Sequence, residues 1–396
     1  MKIIRRFRSA VSLTVLSRLK RGQAARATLA LVILAFSAPL ASAADTKITD
    51  SVEVQAARAA WVKAKGYKVF YTEKFDLSDL PAYAPTEKVT GTIRLWGSNY
   101  FTDSPLAGWW EEEFKKFHPD VKFDFHLNTT QHAIPGLIFG MSDIGPMGRE
   151  IMWDELLSFQ REHKRLPTGI SAVTGSYDVS GWNPAIGVFV HRENPLTSLT
   201  LAQLDAIFGT ELRRGASRNL RTWGDLGLSG EWAAPRITPY GWKVDEDFAL
   251  FFRACVLENS HRWNPAVQEF VHATRPDGTQ YDHGQRILDA LAADRFGIAI
   301  SNVRYARPEV KPLALAARAG EPAYEPTIAN LISQKYRLVR IIPAFINRAP
   351  VRPVEPAVRE FLRFVLSREG QQALIEETGY LPLGADAIRA QLEKLK

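Results

Sequence analysis

The sequence predicts an α/β protein of two lobes, with mostly parallel sheets flanked by helices. Three observations carry this expectation. Strand-like and helix-like patterns alternate over roughly residues 91–384. At 396 residues the chain is longer than a single core usually fills. A hydrophobic share of 46%, with only 26 Gly and 23 Pro, excludes a disordered or fibrous chain.

The formal charge of +7 invites a nucleic-acid or membrane-surface reading until it is located. Residues 1–43 hold eight of the 50 basic residues and no acid, which leaves 42 Lys+Arg against 43 Asp+Glu, a formal charge of −1. The global argument for nucleic acid therefore disappears. A basic start, the apolar run Ala27-Thr-Leu-Ala-Leu-Val-Ile-Leu-Ala-Phe36 and the exit Ala41-Ser-Ala43 describe a secretory signal peptide, cleaved after Ala43. The run is shorter than the roughly 18–20 residues of a membrane anchor. Arg5-Arg6 lies far from it, so general secretion is expected over twin-arginine export, and the mature chain is expected to be exported. One cysteine excludes a disulfide scaffold, and Cys255 reads as a helix residue in an apolar run.

Residues 44–90 read as an extension wrapped on the main body, with a helix over 51–65. Thr92-Ile-Arg-Leu-Trp96 alternates as a strand, and Ser104-Pro105 supplies a cap and first-turn proline. The helix that follows places Leu106, Trp109, Trp110, Phe114 and Phe117 on one face. Val121-Lys-Phe-Asp-Phe125 is the next strand, followed by a helix over 131–141 and a short strand at Asp143-Ile144. Ala185-Ile-Gly-Val-Phe-Val190 reads as a buried strand, and Thr200 caps a helix carrying Leu201, Leu204, Ile207 and Phe208. Helices are expected over 248–257, 285–293, 356–366 and 369–377, and strands over 296–300 and 338–342.

The strand-to-helix turns carry the candidate chemistry. Helix N-termini offer unpaired N–H groups and a favourable dipole to an anion. Three turns could supply them: 97–102, Asn128-Thr129-Thr130, and the turn before Phe248. Hydroxyl and amide residues at the first two, Ser98, Asn99, Thr102, Thr129 and Thr130, suit an oxyanion, and Arg149 adds a bidentate cation. The alternative is that Ser98, Thr129 and Thr130 only cap helices.

Gly97-Ser98-Asn99, Asp143-Ile-Gly145, Asn194-Pro195-Leu, Leu199-Thr-Leu-Ala-Gln-Leu-Asp-Ala-Ile-Phe208, Thr222-Trp223-Gly-Asp-Leu, Gly297-Ile-Ala-Ile300, Tyr336-Arg-Leu-Val-Arg340 and Tyr380-Leu-Pro-Leu383 stand in one order along most of the chain. This set resembles the phosphate-type periplasmic solute-binding proteins of ABC transporters, of the type II periplasmic-binding-protein-like superfamily. The resemblance implies ligand contacts at about Phe101, Thr102 and Thr130. It also implies a periplasmic protein with a hinge between its lobes, a small oxyanion held between them, an ABC permease as partner, and a binding protein without catalysis. The third turn departs from the family pattern. Where phosphate binders carry Arg followed by Ser-Gly-Thr, this chain has Tyr240-Gly-Trp-Lys243-Val-Asp-Glu-Asp247, and Gly148-Arg149 stands near the place of the family's proton-accepting Asp. Tyr240, Trp242 and Lys243 are candidates for a different half-site, while Asp245 and Glu246 suit a helix N-terminus.

His261, His272 and His283 recur every eleven residues in different segments, which reads as solvated or core histidines and no metal site. No cofactor is expected, and a monomer is. Arg213, Arg214, Arg218 and Arg221 form a solvated basic loop, with contact to a permease as the alternative. The expected domains are 1–43 signal peptide, 44–90 extension, 91–190 with 309–384 as lobe 1, 191–308 as lobe 2, and 385–396 as a C-terminal tail. The expected function is capture of a phosphate-like oxyanion for import. A sensor or adhesion module on the same fold is the alternative, and a phosphoester hydrolase would need a nucleophile–base pair or metal cluster that the motifs do not supply.

Overall fold

The computed structural model describes residues 71, 73–179, 183–375 and 378–396, together with Ala56. The expected signal peptide and, apart from Ala56, the expected helix over 51–65 lie outside the described residues.

Strand β1 (Gly91–Trp96) pairs in parallel with β2 (Val121–His126), in register from Gly91↔Val121 to Trp96↔His126. The alternation of β1 buries Ile93 and Leu95, as a half-covered strand should. Between the two lie α1 (Tyr100–Asp103) and α2 (Leu106–Lys115). Ser104 does not cap α2: its hydroxyl donates to the Tyr100 carbonyl at 2.9 Å, and Pro105 takes the cap position. Helix α3 (Ala133–Ile138) is shorter than expected and is preceded by a 3-10 turn, Thr130–His132. Pro135 has no N–H to give Gln131, so the α-helix can begin only in the turn that holds it. The next strand, β3, is Gly145–Pro146, with Ile144 bridging to Leu95. Helix α4 (Trp153–His163) and strand β4 (Thr168–Thr174) follow, neither of them expected from the sequence.

The chain then enters a five-stranded sheet. It holds β5 (Ile186–His191), β7 (Thr238–Trp242), β8 (Gln268–Phe270), β11 (Gly297–Asn302) and β12 (Val310–Pro312), in the order β12-β5-β11-β7-β8. Shorter strands β6 (Ser198–Thr200), β9 (Ala273–Thr274), β10 (Gln280–Tyr281) and β13 (Ala314–Ala316) pair off beside it. Helices α5 (Leu201–Phe208), α6 (Asp247–Cys255) and α7 (His283–Ala292) lie in the same part of the chain. Thr200 caps α5 as expected, accepting the Gln203 N–H at 3.1 Å. After α8 (Ile328–Ile332) the chain returns through β14 (Ile341–Ile346), α9 (Pro356–Val365), α10 (Arg368–Ile375) and α11 (Ala385–Glu393).

The sheets are mixed where mostly parallel pairing was expected. β7 runs parallel to β11 and β8, but β5 and β12 are antiparallel to their neighbours, as is β14 to β3 and β4. The reason lies in the crossings. A strand arriving from the other half must start at the edge where the parallel strands end, so it runs against them: Ile186, the first residue of β5, pairs with Asn302, the last of β11.

Two principal hydrophobic cores divide the chain. The first joins Leu77 to Val173 with Ile342 to Leu395; the second runs from Val179 to Leu338, with Tyr71 and Leu381 added. A smaller cluster of Ala133, Ile134, Leu137, Met147, Phe159 and Phe345 lies between α3 and α4. The chain thus changes core near residues 174–178 and 339–341, where boundaries at 190 and 309 were expected. β5 and β12 are the cause, because both pair into the five-stranded sheet. Gly175 marks the outgoing crossing: a Cβ there would lie 2.1 Å from the Asn183 carbonyl oxygen, so no side chain fits.

Of the expected extension, the described part from residue 73 onward packs on the body. Leu77, Leu80, Tyr83 and Val89 are buried in the first core, and the Tyr83 hydroxyl donates to Glu360 at 2.9 Å. The expected C-terminal tail holds helix α11, and its Ile388 is buried in that core together with Leu395 beyond the helix. Burial pushes the Cys255 thiol up to about 12, which fits an inert helix residue. Among the described residues no helix is long and apolar enough to cross a membrane.

Candidate functional site

The turns after β1, β2 and β3 converge. Ser98 follows β1 and is fully buried, its N–H donating to the Pro146 carbonyl at 2.9 Å. Thr130 follows β2, and its hydroxyl oxygen accepts the N–H of Gly148 at 2.9 Å. Gly148 follows β3 and fits only because it lacks a side chain. A Cβ on it would stand 2.7 Å from Ser98 Oγ, 2.8 Å from the Tyr100 ring and 2.9 Å from Thr130 Oγ1. Two hydroxyls and several peptide groups therefore meet at the C-terminal ends of parallel strands. Such a cradle offers hydrogen bonds without formal charge.

Other expected members turn away from it. Phe101 is buried in the first core, its ring 5.7 Å from Trp110 and 6.2 Å from Tyr380. Thr102 is exposed and gives its hydroxyl to the carbonyls of Asn99 and Leu127, both at 3.1 Å. Asn99 donates to Asp103 at 2.5 Å, and the Thr129 hydroxyl bonds Gln131. These are local turn bonds, the competing use of short polar side chains.

Arg149 is also committed elsewhere. Its guanidinium grips Glu155 with two bonds, 2.9 Å and 2.8 Å, and Glu155 also accepts the Met152 N–H at 2.9 Å. Burial opposes the Arg149 charge, yet its pKa is held above the usual value by the Glu155 carboxylate. It ties the β3–α4 loop to the first turn of α4.

The cation that does sit between the two halves is Arg340, named by the sequence only as part of a family segment. It is 0% exposed and stands at the return crossing. Its guanidinium donates to Glu150, at 2.6 and 3.2 Å, and to Asp247 at 2.8 Å. Glu150 lies two residues beyond Gly148, while Asp247 opens α6 in the other core. The rings of Phe248 and Phe251 lie 5.2 and 5.1 Å from the guanidinium carbon. Burial opposes the charge, and the two carboxylates raise the pKa well above its ordinary value. An arginine inside Leu338-Val-Arg-Ile-Ile342 was the available sequence signal.

The half-site expected from Tyr240, Trp242 and Lys243 does not form. Tyr240 and Trp242 share one face of β7, as period two requires. The Tyr240 hydroxyl donates to Asp294 at 2.9 Å, by the start of β11, and burial together with that carboxylate pushes its pKa up to about 12. Trp242 is buried and stacks on Phe248 at 5.0 Å. Lys243 pairs with Asp245 at 2.9 Å, with both side chains exposed. Of the histidines, His261 bonds Arg253, whereas His272 and His283 stack with ring centroids 3.9 Å apart. The basic loop is partly neutralised, since Arg213 pairs with Glu211 and Arg218 with Asp225, both at 2.7 Å.

No family model matches the chain. It is 29% identical over 317 residues to the phosphate-binding protein PstS of Pseudomonas aeruginosa, covering 80% of this chain and 90% of that one. It is 24% identical over 299 residues to the protein SphX of Synechococcus elongatus, covering 74% and 78%. Among solved structures it is similar to PstS from Borrelia burgdorferi, at 16% identity and a TM-score of 0.48, covering 75% of this chain and all of that one. A possible phosphate binding protein from Planctomyces limnophilus is similar at 18% identity and a TM-score of 0.43, covering 78% and 98%.

Proposed function

We propose that this chain is a two-lobe, phosphate-type periplasmic solute-binding protein that captures a small oxyanion between its cores for ABC-type import. The relative from Pseudomonas aeruginosa, matched over 90% of its length, supports this family and ligand class. The observation that carries the reading is the cradle in which Ser98 Oγ and Thr130 Oγ1 close on Gly148, with the fully buried Arg340 bonded to Glu150 two residues further on. Neutral donors at strand ends, with a cation nearby, are what an oxyanion needs in place of its water shell.

Charge refines the choice of ligand. Glu150 and Asp247 on Arg340 leave a net formal charge of −1 around the guanidinium. An anion arriving there is repelled unless it has a proton to donate to a carboxylate. Hydrogen phosphate has one and sulfate does not. Phosphate therefore fits the group better than a fully deprotonated oxyanion, although the third turn lacks the family's Arg and Ser-Gly-Thr. The partner is a membrane permease, and the leader directs the chain to the periplasm. The relative from Pseudomonas aeruginosa is named a binding protein, and holding an anion asks for no nucleophile.

Titration calorimetry of the purified chain against phosphate, sulfate and a phosphomonoester tests the reading. One phosphate per chain, with sulfate at least tenfold weaker, is the expected result. A folded protein that takes up none of the three would overturn the ligand class, and equal binding of sulfate would overturn the role given to the carboxylates.

A further inference from the structure

Two imidazoles eleven residues apart in sequence lie in one cluster with two carboxylates, inside the second core's half of the chain. Asp282 precedes α7 and caps it, its Oδ1 accepting the Gly284 N–H at 2.9 Å. His283 opens the helix, and both residues are buried. His272 reaches them from the turn before β9, with its side chain 40% exposed. His272 Nδ1 lies 3.8 Å from Asp282 Oδ2, and His283 Nε2 lies 4.0 Å from Asp282 Oδ1. One donor atom from each of the three falls within 4.8 Å of the other two. We propose that His272, Asp282 and His283 bind a divalent transition-metal ion of the zinc or nickel class, with Glu246 as the carboxylate that positions His283.

The donor chemistry selects this class. Two imidazoles and a carboxylate suit zinc, nickel or copper and are poor for magnesium or calcium, which take oxygen ligands. At a metal–nitrogen distance of about 2 Å, neighbouring donors in a tetrahedron stand roughly 3.3 Å apart. His283 Nε2, 4.0 Å from Asp282 Oδ1, needs only a small contraction, whereas His272, whose Nδ1 lies 3.8 Å from Asp282 Oδ2, must turn its ring. Glu246 supplies an independent observation. Its Oε2 lies 2.7 Å from His283 Nδ1, which fixes the ring and leaves Nε2 toward Asp282. A carboxylate behind a ligating histidine is the usual support for a bound metal.

Two contacts shape how the ion would enter. The rings of His272 and His283 are inclined by only 21°, and the His283 backbone N–H donates to His272 Nδ1 at 3.2 Å. Coordination therefore requires the His272 ring to turn and present Nε2, and its exposure leaves room for that. Arg304 lies 3.9 Å from Asp282 Oδ2 and opposes a cation, but Asp282 and Glu246 together outweigh its single charge. A water or buffer ligand would complete the shell.

The test is calorimetry of the full chain, freed of metal with a chelator, against zinc chloride and nickel chloride in phosphate-free buffer. One ion per chain is expected, at least tenfold weaker in His272→Ala and in His283→Ala, weaker by tenfold or more in Glu246→Gln, and unchanged in His261→Ala. His272 is exposed, so its variant keeps the test decisive if the His283 variant misfolds. Absence of binding, or binding unaltered by His272→Ala in a folded protein, would overturn the site. Phosphate titrations of the same variants should be unchanged, so failure here leaves the oxyanion reading intact.

Discussion

Arg340, at the return crossing between the cores, donates to Asp247 at the start of α6 at 2.8 Å. The same guanidinium holds Glu150 at 2.6 Å, so one fully buried cation bonds a carboxylate from each half. Breaking a buried ion pair by removing one partner is costly, because the other charges stay behind. Glu150 and Asp247 are 34% and 45% exposed and can rehydrate, which moderates the loss. Arg340→Met should destabilise the fold by about 3 kcal/mol, read as a lower urea midpoint. A midpoint unchanged from that of the parent protein would show that the latch contributes nothing.

Gly148→Ala tests the cradle directly. The added methyl would meet Ser98 Oγ at 2.7 Å and Thr130 Oγ1 at 2.9 Å, and both hydroxyls must swing aside. Phosphate affinity by calorimetry should fall at least tenfold, while circular dichroism stays that of the parent. Retained affinity would place the ligand elsewhere.

Arg149→Ala separates a loop tie from a ligand contact. Since both terminal nitrogens already hold Glu155, the loss should appear in stability, at about 1–2 kcal/mol. Phosphate affinity should stay within about threefold, less than one charged hydrogen bond contributes. A tenfold weaker affinity would return Arg149 to the binding site.

Acid should weaken the turn at Thr222. Backbone N–H groups of Arg221 and Thr222 draw the Asp225 pKa down from 3.8 to about 2. A carboxylate depressed on folding stabilises fully above its unfolded pKa and loses that contribution as pH falls through the folded value. The window is thus about pH 4 down to pH 2, with an effect on the order of 1 kcal/mol after solvent screening. Asp225→Asn should flatten the fall of the urea midpoint over that range, and identical pH profiles would exclude the linkage.

How far the sequence could be read follows from the range of each signal. Local signals read well: Thr200 with Gln203 forms the cap of α5 that Thr-Leu-Ala-Gln announces, and the alternation of β1 buries Ile93 and Leu95. The crossings read poorly. Ile186-Gly-Val-Phe-Val190 is apolar throughout, so its pattern says that it is buried but not in which core. Ser98 and Thr130 were legible as hydroxyls in strand-to-helix turns, yet Phe101 and Thr102, equally local, point to the core and to backbone carbonyls. Arg149 looked free because its partner, Glu155, belongs to a helix that the pattern did not reveal. The pairing of Arg340 joins residues 93 and 190 positions away, a distance over which a single sequence carries no periodic signal.

The position of Arg340 also bears on speed. A receptor that opens must first pull this buried guanidinium from one of its partly exposed carboxylates. Ligand arrival is then paced by how often the latch parts, and not by how often an anion collides with the surface. Observed association rates in stopped-flow should level off as phosphate concentration rises, and Asp247→Asn should lift the plateau. A rate that climbs linearly throughout would mean that the gate stands open at rest.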